Sequence, residues 1–98
     1  VYVEKILSAM DRIPRDIVHV IWNYSFIPGE QIKFTASKGF EVWGAPGRDP
    51  VQVRGFIDEL GKSGGRGLVM TSWMKCRQPN RKVLLDQIHS LGPVYRGC

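Results

Sequence analysis

Three short apolar runs in this chain each end in a tryptophan, and each is followed by loop residues and then a stretch with helical spacing. The runs are residues 17–22 (Ile-Val-His-Val-Ile-Trp), 40–43 (Phe-Glu-Val-Trp) and 68–73 (Leu-Val-Met-Thr-Ser-Trp). The first is apolar at nearly every position, which suits a parallel strand covered on both faces. Successive parallel strands joined by helical crossovers are the economical way to connect such units. In folds of this kind ligands sit at the carboxyl ends of the strands. Trp22, Trp43 and Trp73 are therefore expected at the site end of the sheet.

The rest of the chain fits that frame. Val3, Ile6, Leu7, Met10 and Ile13 have helical spacing, and Pro14 stops the helix. In the first strand Val18, Val20, Trp22 and Tyr24 share one face, and Ile17, His19, Ile21 and Asn23 the other. A helix is predicted over 30–37 with Gly39 as terminator, and the second strand, 40–43, runs into a Gly-Ala-Pro-Gly loop at 44–47. Asp49 is a good N-cap with Pro50 in the first helical position. Val53, Phe56, Ile57 and Leu60 form the stripe of that helix, and Gly61 is expected to close it. Pro79 opens a last helix carrying Val83, Leu84, Ile88 and Leu91, with Gly92 behind it. The fold class is α/β: three parallel βα units resembling the last strands and helices of a (β/α)8 TIM barrel. Three strands leave two open edges and a complete barrel needs eight. Residues 1–98 are thus expected to be one partial barrel segment, a piece of something longer, or a unit that closes its edges on a partner chain. The opening residues, Val-Tyr-Val-Glu-Lys, carry neither an initiating Met nor a signal-peptide pattern.

Bulk properties exclude more than they identify. With 98 residues the chain is at most one small domain, and no apolar stretch approaches the length of a membrane span. The net charge of +5 is spread along the chain, densest at Lys75, Arg77, Arg81 and Lys82. That group reads as a solvated face before it reads as a nucleic-acid patch. Cys76 and Cys98 are expected as free thiols, and His19 and His89 as structural residues, because none cluster at metal-ligand spacing. Gly61-Lys62-Ser63 lacks the earlier glycine of a phosphate loop and sits where a helix ends, so no cofactor is called for. Asn23-Tyr24-Ser25 matches a glycosylation acceptor, a pattern frequent by chance, and a sugar there would obstruct the site end. The compartment is not legible.

No pair of carboxylates stands out for acid–base work. Asp49 is better used as a cap, Asp58 and Glu59 as helix surface, and Glu41 lies within a strand run. No Ser–His–Asp or Cys–His arrangement is recommended by spacing, so no catalytic residue is assigned. The indoles remain. Flat aromatic walls bind the apolar faces of sugar rings, and indole N–H groups donate to hydroxyls or carbonyls.

The pieces Val20-Ile21-Trp22-Asn23-Tyr24, Gly39-Phe40-Glu41-Val42-Trp43 and Gly67-Leu68-Val69-Met70-Thr71-Ser72-Trp73 resemble the last three strands of the glycoside hydrolase family 20 barrel. The likeness is closest to its hexosaminidase D-like branch and spans residues 16–88. It implies retaining hydrolysis of terminal N-acetylhexosamine from a glycan, with the substrate's own acetamido oxygen attacking the anomeric carbon. Trp22, Trp43 and Trp73 would then be pocket walls and Tyr24 a hydrogen-bond donor to the substrate. Asn23 is expected as a further substrate-binding residue, though it stands where that branch often has Asp, so no charged role is carried over to it. The family's adjacent Asp-Glu pair, which orients the acetamido group and protonates the leaving oxygen, would lie before Val1. On this reading the segment is not catalytic alone. The rival expectations are a non-catalytic module that pairs its open edges with a partner chain, and a basic nucleic-acid-binding domain.

Overall fold

The computed structural model describes Lys5 and residues 8–97. The helix expected over 1–13 falls largely outside the described residues. What is described of it, Lys5, Ser8 and Ala9, is helical and passes into a 3-10 turn at Met10–Arg12. Ile13 is extended (φ −83°, ψ 133°), as a residue before proline should be. Arg15 ties this turn to the body. Its guanidinium donates to the carbonyls of Met10, Ile13 and Lys38 and lies 4.3 Å above the Phe40 ring.

Three strands and three helices follow: β1 (His19–Trp22), α1 (Gly29–Ser37), β2 (Val42–Ala45), α2 (Pro50–Ser63), β3 (Gly67–Leu68) and α3 (Arg81–Tyr95). The sheet is parallel in the order β1-β2-β3, so the chain is an α/β fold of βα units. Val20 pairs with Trp43 and Trp22 with Ala45, while Trp43 pairs with Gly67. The core lies on one side of the sheet. Ile21 and Val42 meet Ile32 of α1 and Phe56 and Leu60 of α2, with Ile27, Ala36 and Leu68 packed around them. Burying a side chain such as Phe56 contributes about 1.5–3 kcal/mol. Gly44 makes that seat possible, because a Cβ there would come within 2.5 Å of the Phe56 ring.

Several expectations need correction. The first strand is not covered on both faces: Val18, Val20 and Trp22 are exposed, and only the Ile21 side meets helices. The expected strand at 40–43 is shifted to Val42–Ala45, so Gly44 and Ala45 are strand and not loop. Their backbone completes the ladder with Ile21, Trp22 and Leu68, and Pro46 stops it for want of an N–H. Gly61 does not close α2. The helix continues to Ser63, Gly64 takes the left-handed conformation (φ 82°), and the Gly65 N–H caps the Leu60 carbonyl. The third strand is two residues long and not six, because β2 offers no partner beyond the Val69–Gly44 bond. Gly92 does not end the last helix either. Residues up to Tyr95 stay helical despite Pro93, held by the buried Leu91 and by the Tyr95 hydroxyl on the Gly47 carbonyl.

The Asp49 cap behaves as expected, its carboxylate accepting the Val51 N–H at 2.9 Å. So does Gly39 after α1, with φ 88°.

Candidate aromatic face

The sheet surface opposite the core carries the tryptophans. Strand parity places Val20, Trp22 and Trp43 on that side, since Val20 and Trp43 are ladder partners and Trp22 is two residues beyond Val20. Trp22 is the last residue of β1 and two-thirds exposed. Trp43 lies in the middle of β2, not at its end. Its ring lies against Gly67, where a Cβ would meet the indole at 2.9 Å. Trp73 sits in the loop beyond β3, five residues past Leu68 and 84% exposed. The expectation that all three end their strands therefore holds only for Trp22.

The loops nonetheless bring two of the three together around Tyr24. Its ring stacks obliquely on Trp22 with centroids 5.4 Å apart, within the range of favourable aromatic pairs. Its hydroxyl accepts the Trp73 indole N–H at 2.9 Å and is hydrogen-bonded to the Thr71 hydroxyl at 2.9 Å. Trp22, Tyr24 and Trp73 thus form one exposed aromatic ridge. Trp43 lies lower on the same face, one ladder step nearer the amino ends. Its Nε1–H is buried without a partner, as is the Ser72 hydroxyl. A buried unsatisfied donor costs about 1–3 kcal/mol.

Asn23 has another occupation. Its Oδ1 accepts the backbone N–H groups of Ser25 and Phe26, an Asx turn that shapes the β1–α1 loop. The same loop is anchored from α2, where the buried Gln52 amide donates to the carbonyls of Asn23 and Phe26. The sequence reading passed over Gln52. Its signal was a polar residue one turn before Phe56 and two before Leu60, on the buried stripe. Gly47, in the β2–α2 loop with φ 87°, lies flat against Tyr24, and a Cβ there would meet the ring at 2.8 Å. Tyr95 of α3 holds the Gly47 carbonyl from the other side. Burial pushes the Tyr95 hydroxyl up to about 12, with the neighbouring Tyr24 adding to the rise.

That clasp places the last turn of α3 at the carboxyl end of the sheet. In a complete barrel a helix returns to the amino end of its strand instead. The first turns of α3 leave Val83, Leu85 and Ile88 exposed. Beside them a groove of about 370 Å³ is lined by Cys76, Arg77, Gln78, Arg81, Leu84 and Leu85, with no tryptophan among them. Lys82 is paired with Asp86 at 2.8 Å, and Glu41 faces Arg66 at 3.8 Å, both solvated pairs of little energetic weight. Cys76 is an exposed free thiol, and Cys98 lies outside the described residues. His19 packs on Phe40 at 4.2 Å, as a structural histidine does, though its Nε2 is buried without a partner. Among the described residues no group of His, Cys, Asp or Glu is arranged to hold a metal ion, and no helix is long and apolar enough to cross a membrane.

Fold and face together define an α/β protein of sequential parallel βα units whose uncovered side is aromatic. Comparison with protein-family models, curated proteins and solved structures returns no match.

Proposed function

We propose that this chain is the carboxyl-terminal portion of a (β/α)-barrel glycoside hydrolase of β-N-acetylhexosaminidase type, supplying the aromatic part of its sugar pocket. The observation that carries the reading is the meeting of Trp22, Tyr24 and Trp73 at the carboxyl ends of parallel strands, on the sheet face without helices. Two further features support it. The core-forming helices α1 and α2 share one face, as the outer ring of a barrel does. On the opposite face Val20 and Trp22 of β1 are apolar and open, as part of the lining of an unfinished barrel would be, while Ala45 of β2 beside them is buried. The general acid and the group that orients the acetamido arm would come from the remainder of the barrel, so this segment binds and does not turn over substrate by itself.

The test is inhibition of the intact protein by an N-acetylglucosamine-type inhibitor. Trp73→Ala should raise the inhibition constant at least tenfold, which is about 1.4 kcal/mol. An unchanged constant would remove Trp73 from the pocket and the proposal with it.

A second reading, a module that pairs its open sheet edges with a partner chain, is favoured by α3. Its reversed placement and exposed Val83, Leu85 and Ile88 suit a surface awaiting cover. Concentration-dependent self-association or capture of one defined partner, without sugar binding, would select it over the hydrolase.

A further inference from the structure

Trp73 is held in an unusual way. It lies in a stretch without regular structure, is 84% exposed, and its indole N–H ends on one phenol, that of Tyr24. An exposed ring on a loop ordinarily samples many rotamers, and fixing it costs conformational entropy. Here the ring has an edge anchor while its faces stay uncovered. The anchor itself is built from three segments. Tyr24 comes from the β1–α1 loop, is backed by Gly47 of the β2–α2 loop, and shares its hydroxyl with Thr71 of the segment that follows β3. Gly47 in turn is held by Tyr95 from α3.

We infer that Tyr24 is a positioning residue, whose hydroxyl fixes the Trp73 indole by its edge so that the ring face is presented to a ligand. The inference deepens the sugar-wall reading and rests on it for the ligand's identity; the positioning stands on the geometry. A phenol oxygen has one proton and two acceptor sites. The indole N–H occupies one acceptor site and Thr71 takes either the proton or the second site. Where Thr71 accepts, the Tyr24 proton is committed within the protein; where Thr71 donates, both acceptor sites are filled and the proton is left for the substrate contact that the family resemblance implies. An ordered aromatic wall binds a ring without first losing its own freedom, which is how preorganisation raises affinity.

The experiment uses the intact protein with ¹⁵N-labelled tryptophan indoles, each signal assigned from the corresponding Trp→Phe variant. Tyr24→Phe keeps the ring against Gly47 and Trp22 and deletes only the oxygen. It should move the Trp73 indole N–H signal and speed its solvent exchange at least tenfold, while the Trp43 signal stays in place. A Trp73 signal unmoved by Tyr24→Phe would overturn the inference whatever the protein binds. Thr71→Val, which spares the Tyr24–Trp73 bond, should shift the same signal less; an equal or larger shift would assign the anchoring to Thr71 and also overturn it. Titration with N-acetylglucosamine, which has no glycosidic bond for the intact protein to hydrolyse, completes the design. A five- to tenfold weaker binding in Tyr24→Phe supports presentation of the ring to sugar, and unchanged affinity overturns that presentation. If the wild-type protein binds no sugar while the Trp73 signal still responds to Tyr24→Phe, the hydrolase reading fails and the positioning role stands.

Discussion

The two faces of this three-stranded sheet are made of similar residues and have opposite fates. On one, Ile21 and Val42 are buried under α1 and α2 with Phe56 seated on Gly44. On the other, Val20 and Trp22 of the same short strand, and Val18 just before it, meet solvent, with exposures of 48%, 66% and 41%. Apolar side chains on both sides of a strand record that both faces are meant to be covered. They do not record which cover is present. The proposed sugar pocket would use the uncovered face.

Substitutions on the two faces sharpen that contrast. Phe56→Ala opens a cavity in the packed layer and should cost about 3–5 kcal/mol. Val20→Ala, on the bare layer, should cost well under about 1 kcal/mol in the same chain by thermal denaturation, since little burial is lost. Equal losses at the two positions would mean that something covers the aromatic side in solution. The next effect is local to α2. Gly64→Ala forces a left-handed backbone (φ 82°) on a residue with a Cβ, a loss of about 1 kcal/mol, whereas Gly61→Ala, with open space around it, should gain about 0.5–1 kcal/mol. Denaturant midpoints moving the same way for both would contradict the helix end at Gly64.

The smallest effect is read by pH. Tyr95 has its hydroxyl raised from 10.0 to about 12 in the folded chain. Folding therefore favours the protonated phenol, and that stabilisation is complete below pH 10. It is lost as pH rises from 10 toward 12, so stability should decline in that window. Its size is modest because the group is partly solvated. Tyr95→Phe should flatten that part of the stability–pH curve; an unaltered slope would mean that folding does not bury the Tyr95 hydroxyl.

The elements that could be read from the sequence were those with local, redundant signals. The α2 start rests on Asp49 and Pro50, which act within one turn, and the structure has the same cap. The order of strands and helices followed from periodicity. Ends were harder. Gly61, Gly64, Gly65 and Gly67 all offer a stop, and the choice falls to the one placed in the left-handed conformation by the route back to β3. Gly92-Pro93 looks terminal, yet the packing of Leu91 and Tyr95 outweighs the missing N–H. The candidate site was legible as a set of residues and not as geometry. Three tryptophans after three apolar runs suggested equivalent positions. In the structure Trp43 is a mid-strand residue and Trp73 a loop residue drawn back by Tyr24, a contact across 49 positions that no local pattern encodes. Asn23 matched a substrate-facing motif, while its side-chain Oδ1 is committed to the turn that follows β1.

Gly67 carries a consequence of its own. Because that position has no side chain, the Trp43 indole can settle onto the backbone of β3 like a tile on bare board. A single methyl group there would prop the tile up and lift the indole off the strand. The smallest residue in the strand thus sets how closely the largest ring of β2 lies on its neighbour.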